Sequence, residues 1–296
     1  MAAAYTLVEP AYRGYIPERP FGLHANGAPI HEILRLLTGS INLRVNDSGK
    51  ILPLNWDEVK RKKSRNARPE KICDLIFGAD MAIVDYEVFV VKASAINNKF
   101  YADLLRELTL CLGAKRQGRF TECFLYLYRI LEYISVAFPM LYASSEKDFR
   151  KSHAFLQGLM QAERDGDLKV LERAIPVIGH DSGLHHITFD FSVTGYDAAF
   201  VESLRRQLDA IINTSKSLRA VVIEEEGEVL LRVPFNSMSS LMTVFRNRMF
   251  HYRIKETNFD LGKLGGSEKI SRLVISEGIY WFAILFAEMV KTLAKR

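Results

Sequence analysis

Cysteine is scarce: the 296 residues hold three, Cys73, Cys111 and Cys123, with no CxxC pair and no tight spacing to histidine. That excludes a disulfide scaffold, argues against a cysteine-built zinc site, and fits a reducing compartment. Long apolar runs are missing too. The longest, Ile279 to Ala287, lies between Glu277 and Glu288 and falls well short of the ~20 residues that cross a bilayer. The N-terminal stretch MAAAYTLVEPAYRGYIPERPFG has no basic flank followed by an apolar segment, so it does not read as a secretory signal. The expectation is a soluble, cytoplasmic protein with no membrane partner. A dominant charge is also lacking. Forty basic residues against 35 acidic give +5, divided as 13 against 11 in residues 1–98 and 27 against 24 in residues 99–296. A field this weak and this evenly spread names no partner by itself.

What remains is ordinary globular composition, 48% hydrophobic and 25% charged, enough for one large domain or two small ones. The first 30 residues are punctuated by Pro10, Pro17, Pro20 and Pro29 and by Gly14, Gly22 and Gly27, the texture of an extended arm. Ile30, Ile33, Leu34 and Leu37 then recur at helical spacing before Gly39. Ile41, Leu43 and Val45 alternate up to an NDSG turn followed by Ile51 and Leu52, a hairpin pattern. The run EVFVVKAS, Glu87 to Ser94, reads as a further strand. Residues 1–97 are therefore expected to form a mixed α and β region.

From about residue 98 the sequence is helical in texture, broken at RQGR and at Pro139, with Phe120, Phe124, Leu127, Tyr128, Leu131 and Ile134 on one broad apolar face. Helices are expected near 148–164 and 168–175, and a β-containing insertion near 180–234. In that insertion Ile187, Phe189, Phe191 and Val193 alternate, and a hairpin turns at Gly227. Two closing helices follow, the first opened by a cap at Asn236 or Ser237. The expected fold is mainly α: a helical body in residues 98–296 with a small β insertion, preceded by the mixed region.

The most informative heptapeptide is RNRMFHY, Arg246 to Tyr252, placed by this reading in the middle of a helix. There Asn247 and His251 share a face at i, i+4, and Arg246 lies about 100° to one side. An imidazole can move a proton near neutral pH, and a guanidinium offers fork-like donors to charge developing on phosphoryl oxygens. Together they supply what cleavage of RNA by its own 2′-hydroxyl requires, without a metal or other cofactor.

This heptapeptide resembles the signature of the HEPN superfamily, an arginine, then four to six residues, then a histidine. The upstream FTECFLYLYRILEYIS looks like the early core helix of that all-helical fold. The resemblance covers residues 99–145 and 236–296. It implies a metal-independent endoribonuclease acting as a homodimer with a composite site, with Arg246 and His251 catalytic and Asn247 the polar position beside the arginine. It further implies a bacterial toxin or antiphage defence effector, whose N-terminal region would meet a regulatory or antitoxin partner. HEPN toxins paired with nucleotidyltransferase antitoxins often carry tyrosine two places after the histidine. Here that place is Arg253, and Tyr252 comes one place early. A non-catalytic HEPN-like subunit, serving dimerisation or RNA binding in a larger complex, is the alternative.

Other residues could support RNA binding. Arg248 and Arg253 flank the signature, and the run Lys60, Arg61, Lys62, Lys63, Arg65 and Arg68 could track phosphates in a sequence-blind way, with Trp56 as a nearby stacking platform. Glu107, Glu122 and Glu132 lie on helices expected to flank the signature helix, and Glu132 is the candidate to orient His251 or Arg246. Helix-surface pairing with Arg106 or Arg129 explains these acids equally well. A separate cluster, His180, Asp181, His185 and His186, could ligate a divalent metal, although Gly179, Ser182 and Gly183 suggest a surface loop.

Overall fold

The structure is a computed structural model describing residues 4–9, 20–23, 27–54, 71–78, 81–160, 166–193, 195–215, 218–225, 228–251 and 258–294. It is mainly helical with two small sheets, in agreement with the expected class. Two compact units are distinguished, one of residues 1–118 with 282–296, the other of residues 119–281.

The first unit begins with strand β1 (Tyr5–Val8), followed by helix α1 (Pro29–Leu37) and strands β2 (Asn42–Val45) and β3 (Ile51–Leu52). Helices α2 (Lys71–Phe77) and α3 (Ile83–Arg116) follow. The hairpin read from Ile41 to Leu52 is present. Its partner β1, read as part of an extended arm, pairs antiparallel with β2, Leu7 opposite Leu43. Ile30, Ile33, Leu34 and Leu37 are buried along α1, which packs on α3, and Gly39 stops the helix at φ 66°.

The strand expected at Glu87 to Ser94 is instead part of α3. Its β-branched valines raised the strand propensity, but Phe89 and Val91 break any alternation. The residues that bury, Tyr86, Val90, Tyr101, Leu104 and Leu108, sit at helical spacing, so tertiary packing overrides local preference. The expected boundary at 97/98 falls within this helix, where Asn97 departs from helical geometry (φ −120°, ψ 28°).

Arg35 is fully buried in this unit. Its guanidinium grips Glu9 through two bonds of 2.7 and 2.6 Å and also donates to the carbonyls of Phe21 and Ser40, the bidentate geometry that suits a desolvated arginine. Next to it, His31 Nδ1 shares a 3.0 Å hydrogen bond with the Tyr86 hydroxyl. Burial, with the nearby Arg35 charge, pushes the imidazole pKa well below its ordinary value.

The second unit contains α4 (Phe120–Ser145), α5 (Phe149–Leu159) and α6 (Asp167–Asp181). Strand β4 (Thr188–Ser192), helix α7 (Ala198–Thr214) and strands β5 (Val221–Glu225) and β6 (Glu228–Pro234) form the β-containing insertion. Helix α8 (Met238–Phe250) and the first part of α9 (Ser267–Ala294) complete it; α9 gives its last part to the first unit. The sheet runs β4-β6-β5, all antiparallel, with Phe189 opposite Val233 and Phe191 opposite Leu231, as the alternation of apolar residues required. Gly227 of the expected turn, Trp56, and the basic run Lys60, Arg61, Lys62, Lys63, Arg65 and Arg68 lie outside the described residues, as do Tyr252 and Arg253.

The break expected at Pro139 and the helix end expected near 175 are both overturned. Pro139 lies inside α4 and Pro176 inside α6. Each removes one backbone donor, yet Ile134, Phe138 and Ala143 around the first and Ile175 and Ile178 around the second are buried, so packing carries both helices through. The α4 N-terminus lacks a cap of its own. Glu268 on α9 supplies one, accepting from the backbone N–H of Phe120 and, at 2.9 Å, of Thr121. Desolvation would raise the Glu268 pKa, but these hydrogen bonds outweigh it and hold the carboxyl below its usual range.

Helices α4 and α9 are long and apolar enough to cross a membrane by length and composition, although no single apolar run in the sequence is. Half of the α4 window and two thirds of the α9 window are buried within the protein (50% and 67%), which is also how the core helix of a globular fold looks.

Candidate functional site

Helix α8 buries Met238, Leu241, Met242, Phe245 and Met249, leaving the polar end of the signature on the other side. Arg246, Asn247 and Arg248 are half-buried and His251 is exposed. Arg246 Nη1 donates to Asn247 Oδ1 at 3.1 Å, and the guanidinium carbon stands 5.0 Å from the centroid of the Tyr128 ring on α4. Phe250 meets Phe124 one turn earlier on α4, with ring centroids 6.3 Å apart. The arginine is thus held from two directions, by an amide oxygen and by a π face.

His251 does not sit in the middle of a helix. It is the C-cap of α8, with extended backbone (φ −117°, ψ 99°), and its N–H still reaches the carbonyl of Asn247 at 3.0 Å. The expected shared face of Asn247 and His251 is therefore corrected: the backbone bond of an i, i+4 pair persists, but His251 has left helical geometry and is exposed at the end of the helix. The chain returns past this end, where Phe259 N–H caps the carbonyl of Arg248 at 3.2 Å, one of the orphan acceptors every helix terminus leaves. Of the two caps expected, Asn236 or Ser237, the structure places Ser237 at the N-cap position, as the last residue of a 3₁₀ turn (Phe235–Ser237); its side chain makes no capping bond to α8, and its hydroxyl instead accepts from Arg219 N–H.

Tyr128 is the residue of this site that sequence reasoning placed in the core face and did not single out. Burial raises its hydroxyl pKa; the Arg246 charge opposes that rise, and the carboxylates of Glu132 and Glu172 add to it. Glu132 is exposed and makes no hydrogen bond or ion pair with Arg246 or His251, so its candidate role as an orienting group reduces to a field effect at Tyr128. Glu122 pairs with Arg119 three residues before it on the surface of α4, the simpler reading of that acid, whereas Glu107 is buried, with Arg106 approaching it at 3.5 Å, so surface pairing does not account for it. Arg248, expected to face RNA, has its Nη1 buried.

The histidine cluster is not the loop that its glycines suggested. His180 and Asp181 form the last turn of α6, and His185 and His186 a 3₁₀ turn (Leu184–His186) after Gly183 at φ 70°. The rings of His180 and His185 stack at 5.1 Å, those of His185 and His186 lie 3.7 Å apart, and Asp181 binds the Tyr142 hydroxyl. Among the described residues no three of His, Cys, Asp or Glu are placed to hold a metal ion, which corrects the metal reading of His180, Asp181, His185 and His186. Beside them, the end of α4, α5 and α6 enclose an open cavity of about 560 Å³ lined by Tyr142, Phe155, Lys151, Arg173, Val177 and Asp181 among others.

The fold and the site define a mainly helical protein of two compact units, with an arginine, amide and imidazole gathered at the end of one helix. No protein-family model, no curated protein and no solved structure matches the chain.

Proposed function

We propose that the chain is a metal-independent endoribonuclease of HEPN type, cutting RNA by attack of the 2′-hydroxyl on the adjacent phosphorus. The observation that carries this reading is the arrangement at the end of α8, where a guanidinium braced by Asn247 and Tyr128 lies within five residues of an exposed imidazole. In the reaction the O2′–P bond forms as the P–O5′ bond breaks, leaving a 2′,3′-cyclic phosphate and a 5′-hydroxyl. His251 moves a proton, either from O2′ or to O5′, and the second proton exchanges with water or with a second His251 if two chains meet at the substrate. Arg246 stabilises the charge that develops on the phosphoryl oxygens, and Asn247 fixes the direction of its fork. A role as effector in toxin or antiphage systems belongs to the same proposal, as does regulation through residues 1–97.

Purified full-length chain incubated with total RNA in EDTA tests it. Cleavage that is lost in His251→Ala and in Arg246→Ala supports the enzyme. Equal residual cleavage by all three proteins overturns it. RNA binding by all three without any cleavage favours the second reading, a non-catalytic HEPN-like subunit.

A further inference from the structure

The solvent side of α3, between its start and the irregular Asn97, is apolar where a surface helix is ordinarily polar. Val84, Val88 and Val91 are 64%, 63% and 54% exposed, and Ala95 next to the 68% exposed Ile96 is also on the surface. Their opposite face is already occupied by the buried Tyr86 and Val90, so α3 is apolar on two sides, and among the described residues only one of them is used. The outward residues are spaced by four, three and four, the a and d rhythm of a coiled-coil seam. Single exposed valines mean nothing, but four consecutive seam positions over three turns form a continuous stripe.

The charges beside the stripe select its occupant. Asp85 and Lys92 occupy the equivalent flanking position in successive heptads, both are exposed, and neither has an ion pair among the described residues. They cannot pair with each other along α3, because they are seven residues apart, and no acid stands three or four residues from Lys92 on the same helix. In an antiparallel pair of α3 helices the flanking e positions face one another. Asp85 then meets Lys92 of the partner subunit, and Lys92 meets Asp85 of the partner subunit, two symmetry-related ion pairs from one sequence. The core layers also match in size: Val84 against Ala95 of the partner subunit, and Val88 against Val91 of the partner subunit.

We infer that the first half of α3 is a self-association surface on which two copies of this chain pair antiparallel through Val84, Val88, Val91 and Ala95, with Asp85–Lys92 pairs on the flanks. The inference rests on the exposed stripe and its charges, not on the nuclease reading. Three turns of helix bury less than a standard interface, so the pairing is weak and visible only as a concentration-dependent equilibrium.

Sedimentation of the full-length chain over a concentration series tests it, with circular dichroism to confirm that each variant keeps its fold. The wild type is expected to shift from monomer to dimer, and Val88→Asp to stay monomeric. Asp85→Lys and Lys92→Asp are each expected to weaken the dimer roughly tenfold, and the double exchange Asp85→Lys/Lys92→Asp to restore it. A chain that is monomeric throughout overturns the inference, because the stripe then serves a different partner. So does a dimer that survives Val88→Asp. Rescue of Lys92→Glu by Glu87→Lys, with no effect of Asp85→Lys, overturns the antiparallel arrangement in favour of a parallel one. None of these outcomes depends on RNA cleavage.

Discussion

The guanidinium of Arg246 rests 5.0 Å above the ring of Tyr128, joining the end of α8 to the middle of α4. A half-buried cation over an aromatic face gains on the order of 0.5–1 kcal/mol, small for stability but enough to fix where a long side chain points. Tyr128→Phe keeps the ring and is expected to leave RNA cleavage within about twofold of wild type. Tyr128→Leu removes the π face, and cleavage is expected to fall about tenfold by the loss of one positioning contact. Arg246→Lys keeps the charge but loses the fork that reaches Asn247 Oδ1, and a fall of about 10²-fold follows. Initial rates on one defined RNA check the order of the three.

The buried ion pair of the first unit gives an asymmetric prediction. Arg35 is fully buried while the Glu9 side chain keeps 27% of its exposure. Glu9→Gln strands a buried guanidinium and is expected to cost about 3–5 kcal/mol. Arg35→Met leaves a carboxylate that can reach water, and costs less. Urea midpoints of the two variants, compared with the double variant Glu9→Leu/Arg35→Met, measure this. The double variant is expected to be more stable than Glu9→Gln alone.

The burial of Glu32 gives a pH dependence whose sign can be worked out. Burial raises its carboxyl from 4.5 to about 7, with Arg35 opposing and Glu9 assisting the rise. A carboxyl raised in the folded state gives stability that is fully present below its unfolded value, near 4.5, and lost as pH climbs through about 7. His31, depressed by burial, acts in the opposite sense, since its stability is present above its unfolded value and lost as pH falls. The two partly cancel in the wild type. Glu32→Gln removes one of them, so the variant is expected to gain on the order of 1 kcal/mol over wild type at pH 8 and nothing at pH 4.5. Thermal midpoints at the two pH values decide it; an equal difference at both contradicts the assignment.

Glu268 caps a helix that begins 148 residues earlier in sequence. Glu268→Ala leaves the N–H groups of Phe120 and Thr121 without that acceptor, and a loss of about 1 kcal/mol is expected, read as a lower urea midpoint. Because the carboxyl is held below its usual range in the fold, the deficit is expected at neutral pH and to fade as pH falls through that lowered value.

How much of this was legible in sequence follows from the range of the interactions. Period and punctuation located α1, the hairpin, the turn at Gly118, the β4 and β5–β6 strands and both closing helices, because each depends on neighbours a few residues away. The errors arose where distant packing overrode a local signal: valines at 88, 90 and 91 inside a helix, and prolines at 139 and 176 carried through by buried neighbours. The candidate site divides in the same way. Arg246, Asn247 and His251 are candidates from spacing, but the exit of His251 from helical geometry and the contact of Arg246 with Tyr128 depend on how α4 meets α8, which spacing does not encode. The exposed apolar stripe of α3 was not legible because Val88 and Val91, two of its four residues, lie in the run Glu87 to Ser94 that reads as a strand.

The 3′ ends of the RNA products test the central claim most directly. RNA treated with the full-length chain in EDTA is expected to carry 2′,3′-cyclic phosphates, with none above background after treatment with His251→Ala. Products ending in 3′-hydroxyls, or cyclic phosphates formed equally by wild type and His251→Ala, would contradict the assignment of the reaction to the end of α8.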